Sequence, residues 1–446
     1  MKENIQIVFG LLGGLAVFIY GMNMMSECLQ KAAGEKMKKI LSLLTRNPVM
    51  GALAGMLVTA VLQSSSATTV MAIGFVSAGL MTLPQAISII FGANIGTTMT
   101  AQLIAFKLSD YIYAIIFIGF IVYFISKSER VKNIGMTIFA FGLLFLGIET
   151  MGTVMKPLAS SPIFTELIGK VADIPILGVA VGALMTLVVQ SSSATIAVLQ
   201  NFAAQPGADG VTSIIGLAGA IPILFGDNIG TTITALLASI GQSKDAKRTA
   251  IAHSFFNITG TCVFIWIIPW FAQFVRYISP KGNEIDVISR QIANAHTTFN
   301  VVCTLVWLPL IPLMVKIVTT IIRGEDKNTG VVYEPKYLDN KVIDQPVAAM
   351  YLVSQELENL TGFTVHMLNS LKGSLNQKKT SAAYEKFKNQ LDIVQHLQEE
   401  ITDYITKLFS SGNLTELQSE QTAGLLYVTN NIERIADRCQ DIDSIW

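Results

Sequence analysis

Two polar motifs stand within long apolar stretches of the chain, and each occurs twice in the same order. Gln63-Ser64-Ser65-Ser66 returns 127 residues later as Gln190-Ser191-Ser192-Ser193. A Gly-x-Asn-Ile-Gly-Thr-Thr motif at 92–98 returns 134 residues later at 226–232. Small residues are common in apolar helices, but two motifs that recur in the same order indicate an internal duplication.

The Gln-Ser-Ser-Ser motifs separate pairs of short apolar arms. In the first copy the arms are 48–62 and 67–81. At about 1.5 Å per residue an arm of about 15 residues covers roughly 22 Å, which is less than a bilayer core of about 30 Å. This length predicts one re-entrant helical hairpin at 48–81 and another at 175–204, although two short tilted spans would have the same pattern.

A hairpin tip of this kind has the chemistry of an anion site. The free N–H groups at the start of the second arm, and the dipole of that arm, favour a negative charge. Two tips related by a pseudo-two-fold axis would surround a tetrahedral oxyanion, although serine hydroxyls also serve helix packing. The predicted substrate-binding residues are Gln63, Ser64, Ser65, Ser66, Gln190, Ser191, Ser192 and Ser193.

The Gly-x-Asn-Ile-Gly-Thr-Thr motifs offer ligands for a small cation. No Lys or Arg occurs in the hairpins or in the apolar segments that carry these motifs, so a multiply charged anion lacks a fixed counter-charge. We expect the motifs to break their helices and to free backbone carbonyls at Gly96 and Gly230 for sodium; a kinked packing helix is the alternative. The side-chain ligands predicted with them are Asn94, Thr97, Thr98, Asn228, Thr231 and Thr232.

Three ionisable side chains accompany the motifs. Asp227 has no counterpart in the first copy, where Ala93 takes its place, and an intramembrane carboxylate is costly without a partner. Two interpretations of Asp227 stay open: it is a cation ligand or titrating group, or it caps a half-helix. His253 and His296 are each followed by an asparagine four residues later, and we interpret both as interface hydrogen bonders rather than proton carriers.

The composition is that of an integral membrane protein. The 446-residue chain is 51% hydrophobic and 14% charged, and segment 48–106 contains no Lys, Arg, Asp, Glu or His. A net charge of zero and the lack of a basic stripe argue against nucleic acid as a partner. Neither a Ser-His-Asp arrangement nor a phosphate-binding Gly-rich loop ending in Lys occurs, so the sequence does not indicate an enzyme.

Hydropathy predicts an all-α integral membrane protein of two inverted repeats, each with three spans and a re-entrant hairpin. We place repeat 1 at 1–125, repeat 2 at 126–275 and one further transmembrane helix at 276–322. An odd number of crossings in each repeat inverts the second copy. Lys and Arg collect in loops that this topology places on one side, which predicts that side to be cytoplasmic and the N-terminus to be outside.

Paired Gln-Ser-Ser-Ser motifs, each followed by Gly-x-Asn-x-Gly-Thr, resemble the type II sodium-phosphate cotransporter family over roughly residues 5–322. The resemblance implies inorganic phosphate as the substrate and sodium as a co-transported ion, without an organic cofactor. It adds Gln63, Gln190 and Ser191 to the sodium ligands. Asp227 departs from the family pattern, in which a small residue is expected, so the sodium stoichiometry stays open.

After residue 322 the chain changes to charged amphipathic helices, predicted at 346–375, 381–409 and 417–442. Glu433 and Asp437 form a Glu-x-x-x-Asp motif that resembles PhoU-type regulatory helical domains, although such a pair is common on any solvated helix face. We expect segment 323–446 to be a cytoplasmic PhoU-like domain, whole or truncated, that has a cytoplasmic regulatory partner.

These features together predict a multi-pass secondary transporter in the inner (plasma) membrane that moves phosphate with sodium by alternating access. The main alternative is an anion-binding receptor or scaffold that signals through the helical tail. A sodium-coupled carrier of another oxyanion, such as sulfate, is the second alternative. A homodimer is a further expectation.

Overall fold

The computed structural model describes residues 2–42, 47–106, 108–159, 169–207, 209–324, 334–374 and 382–445. These residues are largely helical, and among them the only β-type pairing is one isolated bridge between Pro206 and Ser213, which agrees with the predicted all-α class. The α-helices are α1 (Lys2–Ser42), α2 (Pro48–Leu62), α3 (Ser65–Ser77), α4 (Leu83–Ile104), α5 (Ile112–Ile125), α6 (Glu129–Ala159), α7 (Pro175–Val189), α8 (Ser192–Ala203), α9 (Gly216–Ala238), α10 (Lys244–Phe264), α11 (Ile268–Ile278), α12 (Glu284–Trp307), α13 (Ile311–Ile321), α14 (Pro346–Ser374), α15 (Ala382–Ser410) and α16 (Glu416–Ile445).

The chain forms two compact units. The first contains Met1–Ile73, Leu83–Gly241 and Asp245–Arg323, and the second contains Gly74–Thr82, Gln242–Lys244 and Gly324–Trp446. The division near residue 323 lies close to the predicted start of the tail.

Five helical segments of the described residues are long and apolar enough to cross a membrane: Gln6–Lys31, Leu83–Ile104, Glu129–Met155, Gly216–Ala238 and Lys244–Ile278. The pair α12 and α13 would form a sixth span but is bent by 86°. The helix predicted at 276–322 is therefore not one straight span. Pro309 and Pro312 follow the end of α12, and proline cannot continue the hydrogen bonding of a helix interior.

Both predicted hairpins consist of two short helices. α2 and α7 each end just before a Gln-Ser-Ser-Ser motif, and α3 and α8 begin within it, at Ser65 and Ser192. Asn47 starts α2 by accepting the Met50 N–H at 2.8 Å through Oδ1, and Pro48 takes the first helical position. With 15 residues each, α2 and α7 cover about 22 Å, too little to cross a bilayer alone.

α4 and α9 continue through their Gly-x-Asn-Ile-Gly-Thr-Thr motifs, so the predicted helix breaks are wrong. The glycines instead allow close packing on the first arms of the hairpins. A Cβ atom at Gly96 would lie 2.6 Å from the Met56 carbonyl oxygen, and one at Gly230 would lie 2.7 Å from the Ala183 carbonyl oxygen. Because the motif carbonyls stay in helical hydrogen bonding, the carbonyl ligands predicted at Gly96 and Gly230 are not free.

α1 and α6 pack against each other through reciprocal contacts of two glycines. A Cβ atom at Gly21 would lie 2.8 Å from the Leu144 backbone nitrogen, and one at Gly147 would lie 2.6 Å from the Phe18 backbone nitrogen. Gly147 and Leu144 each follow their counterparts by 126 residues. Such reciprocity is typical of a two-fold relation, and it agrees with a duplicated chain.

The second unit has its own apolar core, built from α14, α15 and α16, which confirms the three predicted tail helices. Phe387 and Ile401 are fully buried in this core. Glu356 is also fully buried, and it accepts the Tyr337 N–H at 2.6 Å and the Asn359 side-chain amide at 2.8 Å. The buried carboxylate is thereby paired with donors.

Candidate functional site

The two hairpin tips share one backbone conformation. Gln63 and Gln190 have φ values of 51° and 56°, and they are the only non-glycine residues with positive φ in the described part of the chain. Each side chain turns back on its own arm, because Nε2 donates to the carbonyl oxygen of Ala60 at 2.5 Å and of Leu187 at 2.6 Å, respectively. Strained backbone of this kind clusters at functional sites.

Each second arm begins at a serine that caps it. Ser64 Oγ accepts the N–H of Ala67 at 3.2 Å, and Ser191 Oγ accepts the N–H of Ala194 at 3.2 Å. Other N–H groups of the first turn have no acceptor within the helix, and together with the helix dipole they favour an anion at the tip. The repeated motif therefore creates two equivalent helix starts with anion-binding chemistry.

A cavity of about 250 Å³ lies between the two tips. It brings together all eight predicted substrate-binding residues, and none of its lining residues carries a charge. A volume below that of typical drug-sized pockets suits a small ion. Its lining consists of Gln63, Ser64, Ser65, Ser66, Gln190, Ser191, Ser192 and Ser193, the arm ends Leu62 and Val189, and Ile19, Met22, Asn23 and Ser26.

α1 contributes a face of this cavity, and none of the predicted site residues lies in that helix. Ile19, Met22, Asn23 and Ser26 follow helical spacing and all line the cavity. Ser26 Oγ donates to the Leu62 carbonyl oxygen at 2.5 Å, which attaches α1 to the end of the first arm. The available signal was a pair of polar residues, about one turn apart, in an otherwise apolar helix.

The asparagines of the Gly-x-Asn-Ile-Gly-Thr-Thr motifs are bonded to histidines and are not among the lining residues of the cavity. His253 Nε2 lies 3.2 Å from Asn94 Oδ1, and His296 Nε2 lies 3.0 Å from Asn228 Oδ1. Asn94 Nδ2 donates to the Ile90 carbonyl oxygen at 3.0 Å, so Oδ1 faces the ring and Nε2 is the donor. These bonds confirm that both histidines are interface hydrogen bonders.

The threonine hydroxyls of the same motifs are buried outside the cavity. Thr98 and Thr232 each donate at 2.8 Å to the carbonyl oxygen three residues earlier, and Thr231 donates at 2.9 Å to the one four residues earlier. A link between α4 and the first tip comes from Thr100, whose Oγ1 donates to Gln63 Oε1 at 2.9 Å. The four buried motif threonines are Thr97, Thr98, Thr231 and Thr232.

Asp227 lies in the middle of α9 and is 0% exposed, so its interpretation as a half-helix cap is wrong. Thr186 Oγ1 of α7 donates to Asp227 Oδ1 at 2.6 Å, and the same hydroxyl lies 3.0 Å from Thr195 Oγ1 of α8. Asp227 Oδ2 has no hydrogen-bond partner among the described residues. Neither threonine was among the predicted site residues.

The predicted tail motif lies on an exposed face of α16. Glu433 and Asp437 are both exposed, and Gln398 Nε2 donates to Glu433 Oε2 at 3.0 Å. Among the described residues no group of three or more His, Cys, Asp or Glu side chains is placed to hold a metal ion.

Known families match both parts of the chain. The Na+/Pi-cotransporter model matches twice, at residues 17–153 and 149–279, which together span more than half of the chain. The PhoU domain model matches residues 357–444. Two matches to one model agree with the internal duplication, and the second family agrees with a separate helical tail.

Several curated proteins are similar to the chain. YqeW of Bacillus subtilis (strain 168) is 33% identical over 263 residues, which cover 59% of this chain and 83% of that protein. YjbB of Escherichia coli (strain K12), named as an inorganic phosphate export protein, is 25% identical over 431 residues, 96% of this chain and 76% of that protein. Sodium-dependent phosphate transport protein 2B of Homo sapiens is 38% identical over 97 residues, 21% of this chain and 14% of that protein. No solved structure matches the chain significantly.

Proposed function

Because the chain belongs to the Na+/Pi-cotransporter family, a family of phosphate transporters, we propose that it moves inorganic phosphate across a membrane in symport with sodium. The observation that carries the proposal is the cavity shared by both hairpin tips. It offers two helix starts, six serine hydroxyls and two glutamine amides to a single small oxyanion. The binding role of the eight motif residues is part of the proposal.

Sodium coupling is supported by the charge of the cavity. None of its lining residues is basic, so a multiply charged phosphate would enter a site that has no fixed positive charge. Taking such an anion out of water is costly unless cations accompany it. The residues proposed to bind the coupled sodium ions are Gln63, Asn94, Thr97, Thr98, Gln190, Ser191, Asp227, Asn228, Thr231 and Thr232.

The direction of transport follows from the gradients, because a symporter runs down the sum of the sodium and phosphate gradients. The relatives include one named for phosphate export and one named for sodium-dependent phosphate transport. An inward sodium gradient would drive uptake, and a steep outward phosphate gradient would drive export through the same site. We place the protein in the inner (plasma) membrane, with the N-terminus outside and the tail in the cytoplasm.

The PhoU match at 357–444 supports a regulatory role for the tail. We propose that the tail binds a cytoplasmic regulatory partner and that the transporter is a homodimer. Chemical crosslinking of the intact protein in membranes, followed by mass analysis, would give the number of chains in the complex. Detection of only the monomer at every crosslinker concentration would contradict the homodimer.

The decisive experiment is phosphate uptake by the purified protein in liposomes. Radiolabelled phosphate uptake under an inward sodium gradient is compared with uptake when potassium or choline replaces sodium. We expect phosphate uptake under the sodium gradient but not with potassium or choline. Excess sulfate should not reduce this uptake. Phosphate binding without uptake under any gradient would favour the receptor interpretation, and strong sulfate competition would favour another oxyanion as substrate.

Serine variants test the site itself. Ser65→Ala and Ser192→Ala each remove one hydroxyl from the cavity, and a hydrogen bond to a charged group contributes about 1.5–3 kcal/mol. The phosphate concentration that gives half-maximal uptake should therefore rise about 10- to 150-fold. Ser88→Ala is the matched control, because Ser88 is buried in α4 and bonds to the Gln85 carbonyl oxygen. Equal effects of all three variants would show a loss of folding rather than of binding.

A further inference from the structure

The two repeats of the first unit differ in charge at a buried position. Ala93 in α4 corresponds to Asp227 in α9, and both are nearly or fully inaccessible to solvent. The Asp227 carboxylate has one oxygen bonded to a hydroxyl and one without any hydrogen-bond partner among the described residues. A buried carboxylate oxygen without a hydrogen-bond partner is costly, so Oδ2 is a candidate ligand for a cation.

The three helices that carry the Asp227 group supply no basic partner, and His296 of the neighbouring α12 is bonded to Asn228. Segment 175–238, which forms α7, α8 and α9, contains no Lys, Arg or His. None of the ion pairs found among the described residues involves Asp227. The ionised Asp227 carboxylate therefore has no fixed counter-charge on these three helices, and a mobile cation can supply one.

The oxygen atoms around Asp227 suit a small monovalent cation. Thr186 Oγ1 lies 2.6 Å from Asp227 Oδ1 and 3.0 Å from Thr195 Oγ1. Thr186 has one hydroxyl proton, and the carboxylate is the stronger of its acceptors, so the hydroxyl lone pairs stay available. Carboxylate and hydroxyl oxygens are hard ligands of the kind that alkali and alkaline-earth cations prefer.

The first half contains the same threonine pair without the carboxylate. Thr59 Oγ1 lies 2.8 Å from Thr68 Oγ1, in the positions that correspond to Thr186 and Thr195, and both of these threonines are buried. Ala93 offers no oxygen in its side chain. The threonine pair alone is therefore explained by packing, and the carboxylate is the feature peculiar to the second half.

The Asp227 group is connected to the substrate cavity. Thr195 Oγ1 donates to the Ser191 carbonyl oxygen at 3.2 Å, and Ser191 lines the cavity at the second tip. Thr186 and Thr195 lie on the first and second arm of the same hairpin. A cation bound at Asp227 would therefore hold both arms of the second hairpin against α9.

We propose that Asp227, Thr186 and Thr195 bind one sodium ion, and that the first half has no equivalent fixed-charge site. This inference rests on the proposed sodium-coupled function, and it adds Thr186 and Thr195 to the sodium ligands. The charge of this ion is balanced by Asp227. Sodium that offsets the charge of phosphate must therefore bind at another position, nearer to the uncharged cavity.

Matched threonine variants provide the test, because valine has nearly the same shape as threonine but lacks the hydroxyl. Thr186→Val should raise the sodium concentration for half-maximal phosphate uptake about 10- to 150-fold. Thr59→Val, the counterpart without a carboxylate neighbour, should leave that concentration unchanged. Thermal midpoints of both variants report any loss of folding. Equal sodium dependence of Thr186→Val and Thr59→Val would overturn the assignment.

Equilibrium binding of radiolabelled sodium separates this inference from the proposed function. Asp227→Asn keeps the shape and removes the charge, so it should bind one sodium ion fewer per chain than the unaltered protein. Full sodium binding by Asp227→Asn would refute the site even if phosphate uptake is sodium-dependent. Uptake by the unaltered protein that is independent of sodium would instead refute the proposed function, whereas the binding comparison would still decide the site.

Discussion

The packing of α4 on α2 makes a sharp prediction about Gly96. In Gly96→Ala the new Cβ would lie 2.6 Å from the Met56 carbonyl oxygen and 2.7 Å from Thr59 Cβ, whereas ordinary contacts begin at 3.4 Å. The Met56 carbonyl oxygen and Thr59 Cβ are fixed to the backbone of α2, so a change of side-chain rotamer cannot move either atom aside. α2 must therefore move by several tenths of an ångström, and overpacking of this kind costs about 1–3 kcal/mol.

Gly13→Ala is the control that isolates this clash. A Cβ at Gly13, in α1, has nothing within 4 Å, so this variant keeps only the gain in helix propensity, about 1 kcal/mol. Gly96→Ala makes the same gain and adds the clash. The difference between the two variants, about 1–3 kcal/mol, therefore measures the clash alone.

The assay is the thermal unfolding midpoint of the detergent-purified protein, followed by tryptophan fluorescence, together with phosphate uptake in liposomes. We expect the Gly96→Ala midpoint to lie about 1–3 °C below that of Gly13→Ala. Uptake by Gly96→Ala should also fall, because α2 ends at the first hairpin tip. A Gly96→Ala midpoint equal to or above that of Gly13→Ala would refute the close-packing explanation of the glycines.

Three other predictions concern buried polar groups. His253→Leu removes the donor to Asn94 Oδ1 and should cost about 1–3 kcal/mol, whereas His253→Gln places a donor near the same position and should recover most of the thermal midpoint. Glu356→Ala leaves the Tyr337 N–H without its acceptor, and the tail of the intact protein should be cleaved faster in limited proteolysis. Burial raises the pKa of the Cys439 thiol, so a water-soluble maleimide should label it slowly in the folded protein and rapidly in denaturant; equal rates would contradict its burial.

The hairpins and the tail were predictable because their signals are local. Proline at the start of α2 and α7, the length of the apolar arms and the Gln-Ser-Ser-Ser interruption all act within a few residues. The tail helices likewise follow from caps and amphipathic spacing. The repeated motif also predicted that its two copies share one site, and the cavity brings all eight of their residues together.

The Gly-x-Asn-Ile-Gly-Thr-Thr motifs were misjudged because glycine has two roles. In sequence, Gly96 and Gly230 resemble helix breakers, whereas in the structure the absence of a side chain permits contact with a backbone carbonyl. Which role applies depends on what lies opposite the glycine. That neighbour is a residue on a hairpin arm, 40 positions before Gly96 and 47 positions before Gly230.

The sequence alone determined the helical membrane class, the duplication and the short apolar helices around the repeated motif, since composition, apolar length and repeated motifs are properties of continuous segments. Only the tertiary structure decided that α1 lines the cavity through Asn23 and Ser26, that the motif asparagines bond to histidines, and that Asp227 meets Thr186. These contacts join helices distant in the chain. Their geometry depends on how whole helices pack, and no local pattern records it.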